Sequence, residues 1–78
     1  MVERLTEGMV LNLHTSDSID PITGRETNPH IEKEVIMEVK KDSVTLFNLE
    51  HQHESKVKKD RMEFYLRRGL YEITDEKA

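Results

Sequence analysis

Cysteine and tryptophan are absent from the sequence, and its 78 residues include only two tyrosines, two phenylalanines and three glycines. Without cysteine the chain forms no disulfide and offers no thiolate to zinc or to a substrate, which favours a reducing compartment. No apolar run approaches the length of a membrane span, and the segment MVERLTEGMV carries charge where a signal peptide is uniformly apolar. We therefore expect a cytoplasmic protein with no membrane partner.

Catalytic motifs are also missing from the sequence. It has neither a serine-nucleophile motif nor a glycine-rich loop of the kind that binds phosphate groups. None of its many carboxylates lies in an apolar run, where burial would raise its pKa toward the range that is useful for acid–base catalysis. We predict a protein that is not an enzyme and needs no cofactor.

The residues that are present suffice for one small core and are unevenly charged. Leucine, isoleucine, valine and phenylalanine occupy 20 of the 78 positions, more than is typical of disordered chains. The net charge is −4, yet residues 56–68 hold six basic and two acidic side chains, a local charge of +4. The sequence therefore places one basic segment in an otherwise acidic chain.

Short alternating and β-branched segments predict a mainly β domain. We place five strands at residues 9–14, 31–40, 43–49, 55–59 and 70–73, and a short helix at Arg61–Arg68 before the last strand. Asp60 is positioned to cap this helix and Gly69 to end it. Residues 15–29 are rich in turn-forming side chains, and DPITG within them suits a tight turn in a loop that folds back as a hairpin.

Segment 31–40 has the period-two pattern of a strand. Its mainly apolar face comprises Ile31, Val35, Met37 and Val39, its charged face comprises Glu32, Glu34, Glu38 and Lys40, and Lys33 and Ile36 are exceptions. The apolar face belongs either in the core of a monomer or at the seam of a dimer.

The order of these elements resembles that of the SH3-like small β-barrel. The resemblance rests on EGMVLNL, EVIMEVKKDSVTLFNL and MEFYLRRGLYEI, and it implies one five-stranded barrel over residues 1–74 with the long first loop beside a ligand groove. The aromatic residues that line the groove of peptide-binding SH3 domains are missing, so polyproline binding is not implied. In length and charge the chain also resembles short proteins common in bacterial and prophage genomes. We expect residues 75–78 to form a disordered tail.

The basic segment is the candidate partner-binding surface. Its members are Lys56, Lys58, Lys59, Arg61, Phe64, Tyr65, Arg67 and Arg68. An exposed aromatic ring surrounded by charge is typical of a protein interface, so we predict a non-enzymatic module that binds an acidic or amphipathic protein, or a second copy of itself as a homodimer. The main alternative is nucleic acid, because cations neutralise phosphates while an aromatic ring stacks on a base. The pattern leaves open whether Phe64 or Tyr65 faces outward.

His51 and His53 form the one metal-like pattern in the sequence. Alternate residues of a strand share a face, and neutral imidazole is a good metal ligand. Because the sequence fixes no third ligand beside them, we expect both histidines to be solvated and no metal to be bound.

Overall fold

The computed structural model describes residues 4–77, apart from the side chains of Asp75 and Lys77. In chain order its elements are β1 Met9–Thr15, β2 Ser18–Ile19, β3 Glu26–Thr27, β4 His30–Val39, β5 Ser43–Asn48, β6 His53–Lys58, α1 Lys59–Arg68 and β7 Tyr71–Lys77. One antiparallel sheet contains five of the strands in the order β6, β5, β4, β1, β7, and β2 pairs with β3 in a separate hairpin. The mainly β class and the short helix before the last strand are therefore confirmed.

The main sheet is open rather than closed into a barrel. Its edge strands β6 and β7 do not pair with each other within residues 4–77. The helix α1, which connects these two strands, contacts β5, β6 and β7 and lies across one face of the sheet. An SH3-like barrel requires its sheet to close on itself, so the barrel that the strand order predicts is not confirmed.

The loop between β1 and β4 folds back on itself as predicted. Its two short strands, β2 and β3, are joined by the DPITG turn and raise the strand count from five to seven. The Asp20 carboxylate accepts hydrogen bonds from the backbone N–H groups of Ile22 and Thr23, at 2.8 and 3.3 Å, and these bonds lower the pKa of Asp20. Gly24 follows at a φ of +72°, a left-handed conformation that costs glycine little.

Helix α1 begins at Lys59, two residues before the predicted start. Asp60 does not cap it, because the N-cap residue is Lys58, which makes no side-chain capping bond, and the Lys59 N–H donates to the Asp42 carbonyl oxygen at 2.9 Å. Gly69 ends the helix as predicted, at a φ of +76°. No helix among the described residues is long and apolar enough to cross a membrane.

The core lies between α1 and one face of the main sheet, called the inner face below. Met62 and Leu66 are four residues apart, so both point from the helix toward the sheet. The buried core residues are Leu5, Leu11, Ile36, Val44, Leu46, Met62, Leu66 and Tyr71. The helix thus supplies the second layer that an open sheet needs to bury one face.

Strand β4 turns two of its charged residues, Glu32 and Glu34, toward the inner face. Ile36, an exception to the predicted alternation, is 1% exposed in the core, and a period of two from Ile36 brings Glu34 and Glu32 to the same side. Ile31 and Met37 lie outside the core and are each 52% exposed. A register irregularity follows Ile36 in the pairing with β5, so the alternation does not continue through the whole strand. The predicted apolar face of β4 is therefore not one continuous core surface.

Strand β7 extends beyond the predicted end of the last strand. Residues 75–77, which we expected in a disordered tail, continue this strand, and Lys77 lies opposite Met9 of β1. Strand β1 begins at Met9, far enough back to give Lys77 a backbone partner. Ala78, the last residue of the predicted tail, lies outside the described residues.

Candidate functional site

Helix α1 presents an exposed stripe beside its buried one. The stripe comprises Arg61, Phe64, Tyr65 and Arg68, whose spacings of three, four and seven residues place them on one side of the helix. Phe64 is 50% exposed, whereas Tyr65 is half-buried and packs against the core. Phe64 is therefore the outward-facing ring, which resolves the choice that the sequence left open.

The Phe64 ring is in contact with two neighbours on the stripe. The Arg68 guanidinium carbon lies 5.0 Å from the ring centroid, within the range of a cation–π interaction. The Tyr65 ring meets Phe64 edge-on, with centroids 6.0 Å apart and an interplanar angle of 65°. These contacts hold Phe64 in place while half of its surface stays open to solvent.

Two adjoining depressions extend the stripe toward β6. One, of about 400 Å³, is lined by Asp60, Arg61, Phe64 and Tyr65, and the other, of about 350 Å³, is lined by Lys56, Val57, Lys58, Arg61 and Tyr65. They share Arg61 and Tyr65, so the lysines of β6 and the ring of Phe64 border one continuous surface. We call Lys56, Lys58, Arg61, Phe64, Tyr65 and Arg68 the Phe64 surface.

The other two residues of the predicted binding surface lie apart from this group. Arg67 is on a different side of α1, where its Nε donates to the Glu63 carboxylate at 3.1 Å. Lys59 is half-buried at the first position of the helix and lines neither depression. The structure thus brings together six of the eight predicted residues.

A second polar group, which the sequence reasoning missed, lies between strands β4, β5 and β7. Glu32, Glu34, Asn48 and Tyr71 are all buried, with exposures between 5% and 8%. Asn48 Nδ2 donates to Glu32 Oε1 at 2.8 Å and to Glu34 Oε2 at 2.9 Å, and the Tyr71 hydroxyl donates to Glu34 Oε1 at 2.7 Å. We call these four residues the carboxylate network.

Asn48 links this network to the turn between β5 and β6. Its Oδ1 accepts hydrogen bonds from the backbone N–H groups of Glu50 and His51, both at 2.9 Å. The side chain therefore uses both N–H donors and both acceptor lone pairs. The turn is held beside Glu32 by a residue that also binds two buried carboxylates.

The surroundings of the network fix the charge of two of its members, Glu32 and Tyr71. Hydrogen bonds from His30, and next from Asn48, lower the pKa of Glu32 to about 2, so this carboxylate is charged at neutral pH. Burial, followed by the contact with Glu34, raises the pKa of Tyr71, which therefore remains a hydrogen-bond donor. Tyr71 also packs near Tyr65, with ring centroids 6.0 Å apart, and so connects the network to the Phe64 surface.

The two histidines of the metal-like pattern separate in the structure. His51 Nε2 lies 3.0 Å from Glu32 Oε2, whereas His53 begins β6 and has no side-chain partner in the described part of the chain. Gln52 between them has a φ of +51°, a left-handed conformation that breaks the strand alternation assumed from sequence. His30, which the sequence reasoning did not include, also contacts Glu32, with its Nε2 2.8 Å from Oε2.

Comparison of the chain with protein-family models, with curated proteins and with solved structures found no match in any of the three.

Proposed function

We propose that this protein is a non-enzymatic interaction module whose Phe64 surface binds an acidic, amphipathic protein segment. The observation that supports this most strongly is the 50% exposure of Phe64 beside the fully covered Met62 of the same helix. Aromatic and arginine side chains are enriched among the residues that dominate protein interfaces. An apolar side chain of the partner would cover Phe64, while acidic side chains on either side of it would meet the surrounding cations.

The charges of the Phe64 surface favour an acidic partner. None of its four cations forms an ion pair with a carboxylate in the part of the chain that the structure describes. Asp60 is the one carboxylate that lines either depression. Because the chain as a whole carries a net charge of −4, an acidic partner is attracted to this surface and repelled elsewhere.

Nucleic acid is the alternative occupant of the same surface, and the geometry favours it less. Single-stranded nucleic acid is typically bound by several aromatic rings on which successive bases stack, whereas this surface offers one exposed ring, Phe64, which Arg68 partly covers at 5.0 Å from its centroid. A small patch of cations on an acidic chain also gives weak attraction to a long polyanion. The surface is formed by α1 and β6, so it is separate from the first loop that an SH3-like barrel would use.

Phe64→Ala is expected to weaken binding of an acidic amphipathic peptide at least tenfold, because truncating a central interface aromatic typically costs about 2 kcal/mol or more. Random peptides displayed on phage are selected against the immobilised wild-type chain, and affinities are then measured by fluorescence anisotropy. We expect the enriched peptides to combine aspartate or glutamate with apolar residues.

Matched control variants distinguish specific binding at the Phe64 surface from nonspecific binding elsewhere on the protein. Ile31→Ala removes another exposed apolar side chain, 52% exposed, and should leave affinity unchanged. Lys58→Glu should weaken binding more than Arg25→Glu, which reverses a charge in the loop hairpin. Enriched peptides without acidic residues, or equal affinity for wild type and Phe64→Ala, would contradict the proposal. Tight, steeply salt-dependent binding of mixed-sequence DNA would favour the alternative.

A further inference from the structure

Side chains from two segments, the start of β4 and the turn between β5 and β6, converge on the Glu32 carboxylate. His30, Glu32 and Glu50 each place one potential ligand atom within 4.8 Å of the other two. His51 Nε2 lies 3.0 Å from Glu32 Oε2. All four residues border an open depression of about 600 Å³, so ions in solution can reach them.

Both nitrogens of the His30 ring face oxygen atoms that only accept hydrogen bonds. Nδ1 lies 2.8 Å from the Asn28 carbonyl oxygen, and Nε2 lies 2.8 Å from Glu32 Oε2. A neutral imidazole has a single N–H, so at one of these two contacts the lone pair of the ring nitrogen would face a lone pair of the oxygen. Protonation of the ring removes this conflict, and so does a metal ion shared between Nε2 and the carboxylate. A histidine that donates Nδ1–H to a backbone carbonyl while Nε2 faces outward has the arrangement typical of metal ligands.

The Glu32 carboxylate is oriented by the protein rather than by solvent. Its Oε1 accepts from Asn48 Nδ2 at 2.8 Å, which leaves Oε2 directed at the imidazoles of His30 and His51. The side chain is only 9% exposed, so its position is fixed by packing. Asn48 also holds the backbone of Glu50 and His51, and so the residue that orients one ligand positions two others.

We propose that His30, Glu32, Glu50 and His51 bind a divalent transition-metal ion of the zinc class. Two imidazole nitrogens with carboxylate oxygens suit zinc, cobalt or nickel, whereas calcium requires six or more oxygen ligands. Zinc–ligand distances of about 2.0–2.2 Å in a tetrahedron separate neighbouring donors by roughly 3.3 Å. The two nitrogen–oxygen distances to Glu32 are 2.8 and 3.0 Å, and the ligand atoms of His30, Glu32 and Glu50 lie within 4.8 Å of one another, so Glu50 and His51 must turn toward the ion to complete the site. His51 is 62% exposed and free to make that adjustment.

Such an ion would tie the start of β4 to the turn between β5 and β6. A ligand that binds the folded chain and not the unfolded one raises stability, by an amount that grows with the logarithm of the ratio of its concentration to the dissociation constant. The site shares no residue with the Phe64 surface, so failure of either proposal leaves the other standing.

The test is calorimetric titration of ZnCl2 into the untagged chain at pH 7.5, after removal of metal by chelation and dialysis. We expect one ion per chain and a rise in melting temperature on zinc addition. His51→Ala and Glu50→Gln, both at exposed positions, should each weaken binding about tenfold or more, as expected for loss of a ligand. His53→Ala is the matched control, since it removes an imidazole two residues away that lies outside the site.

Nuclear magnetic resonance of the histidine rings locates the ion independently of the variants. Zinc should shift the imidazole signals of His30 and His51 and leave those of His14 and His53 unchanged. Absence of saturable binding, shifts confined to His14 or His53, or equal losses in His51→Ala and His53→Ala would overturn the proposal.

Discussion

Asn48→Asp is expected to lower the free energy of unfolding by about 3–5 kcal/mol, the range found when a buried charge loses its partner. The Asn48 amide nitrogen donates to Glu32 and Glu34 at 2.8 and 2.9 Å, and aspartate would replace this shared donor with a third buried carboxylate. The new side chain could still accept from the turn, so the loss arises from the two glutamates. Urea denaturation measures this loss in the free energy of unfolding. Unfolding is monitored by far-ultraviolet circular dichroism, because the chain has no tryptophan whose fluorescence could report it.

Asn12→Asp is the matched control for this substitution. Asn12 is also a strand residue bonded to a glutamate and a lysine, at 3.3 and 3.2 Å, but both bonds are exposed to solvent. Its change to aspartate should alter stability by no more than about 0.5 kcal/mol. If Asn48→Asp cost as little as Asn12→Asp, the network would not be buried and hydrogen-bonded as described.

Ile36→Ala is expected to lower the free energy of unfolding by about 2–5 kcal/mol, because it leaves a cavity in the core. Ile36 is 1% exposed, lies opposite Leu46 in the sheet and packs in the same cluster as Met62. Met37→Ala, at the next position, should cost about 0.5 kcal/mol or less, since Met37 is 52% exposed.

These two alanine variants test directly which face of β4 packs in the core. The period-two pattern read from the sequence assigns Met37 to the apolar face and Ile36 to the exceptions, and it would give the larger loss to Met37→Ala. The same urea experiment decides between the two assignments. A loss at Met37 equal to or greater than the loss at Ile36 would contradict the inner face described above.

The elements of the fold were predictable because they depend on local patterns. β-Branched alternation located the strands, DPITG located the turn of the loop hairpin, and Gly69 located the end of α1. Closure of the sheet was not predictable, since it depends on where α1 packs. The facing of β4 was predicted only in part: Val35 is buried and Val39 packs against the core, but Ile36 packs under the helix, and the irregularity that follows it breaks the alternation.

The two candidate sites also differ in how far local sequence patterns predict them. Helical spacing groups the basic and aromatic residues on one side of α1, so the sequence sufficed for that part of the Phe64 surface, whereas the position of the lysines of β6 beside it depends on how the helix packs. The carboxylate network depends on pairing between strands, which places Asn48 of β5 opposite Glu34 of β4. Its one sequence signal is that Asn48 continues the alternation of Val44 and Leu46, two residues that the structure buries completely.

Amide chemical shifts recorded while a selected acidic amphipathic peptide is titrated into the ¹⁵N-labelled chain test the central proposal most directly. The Phe64 surface predicts that the largest shifts fall within residues 56–68, on the exposed stripe of α1 and the adjoining end of β6. Shifts concentrated on the exposed face of β4 or in the turn at residues 49–52, with residues 56–68 unchanged, would contradict it.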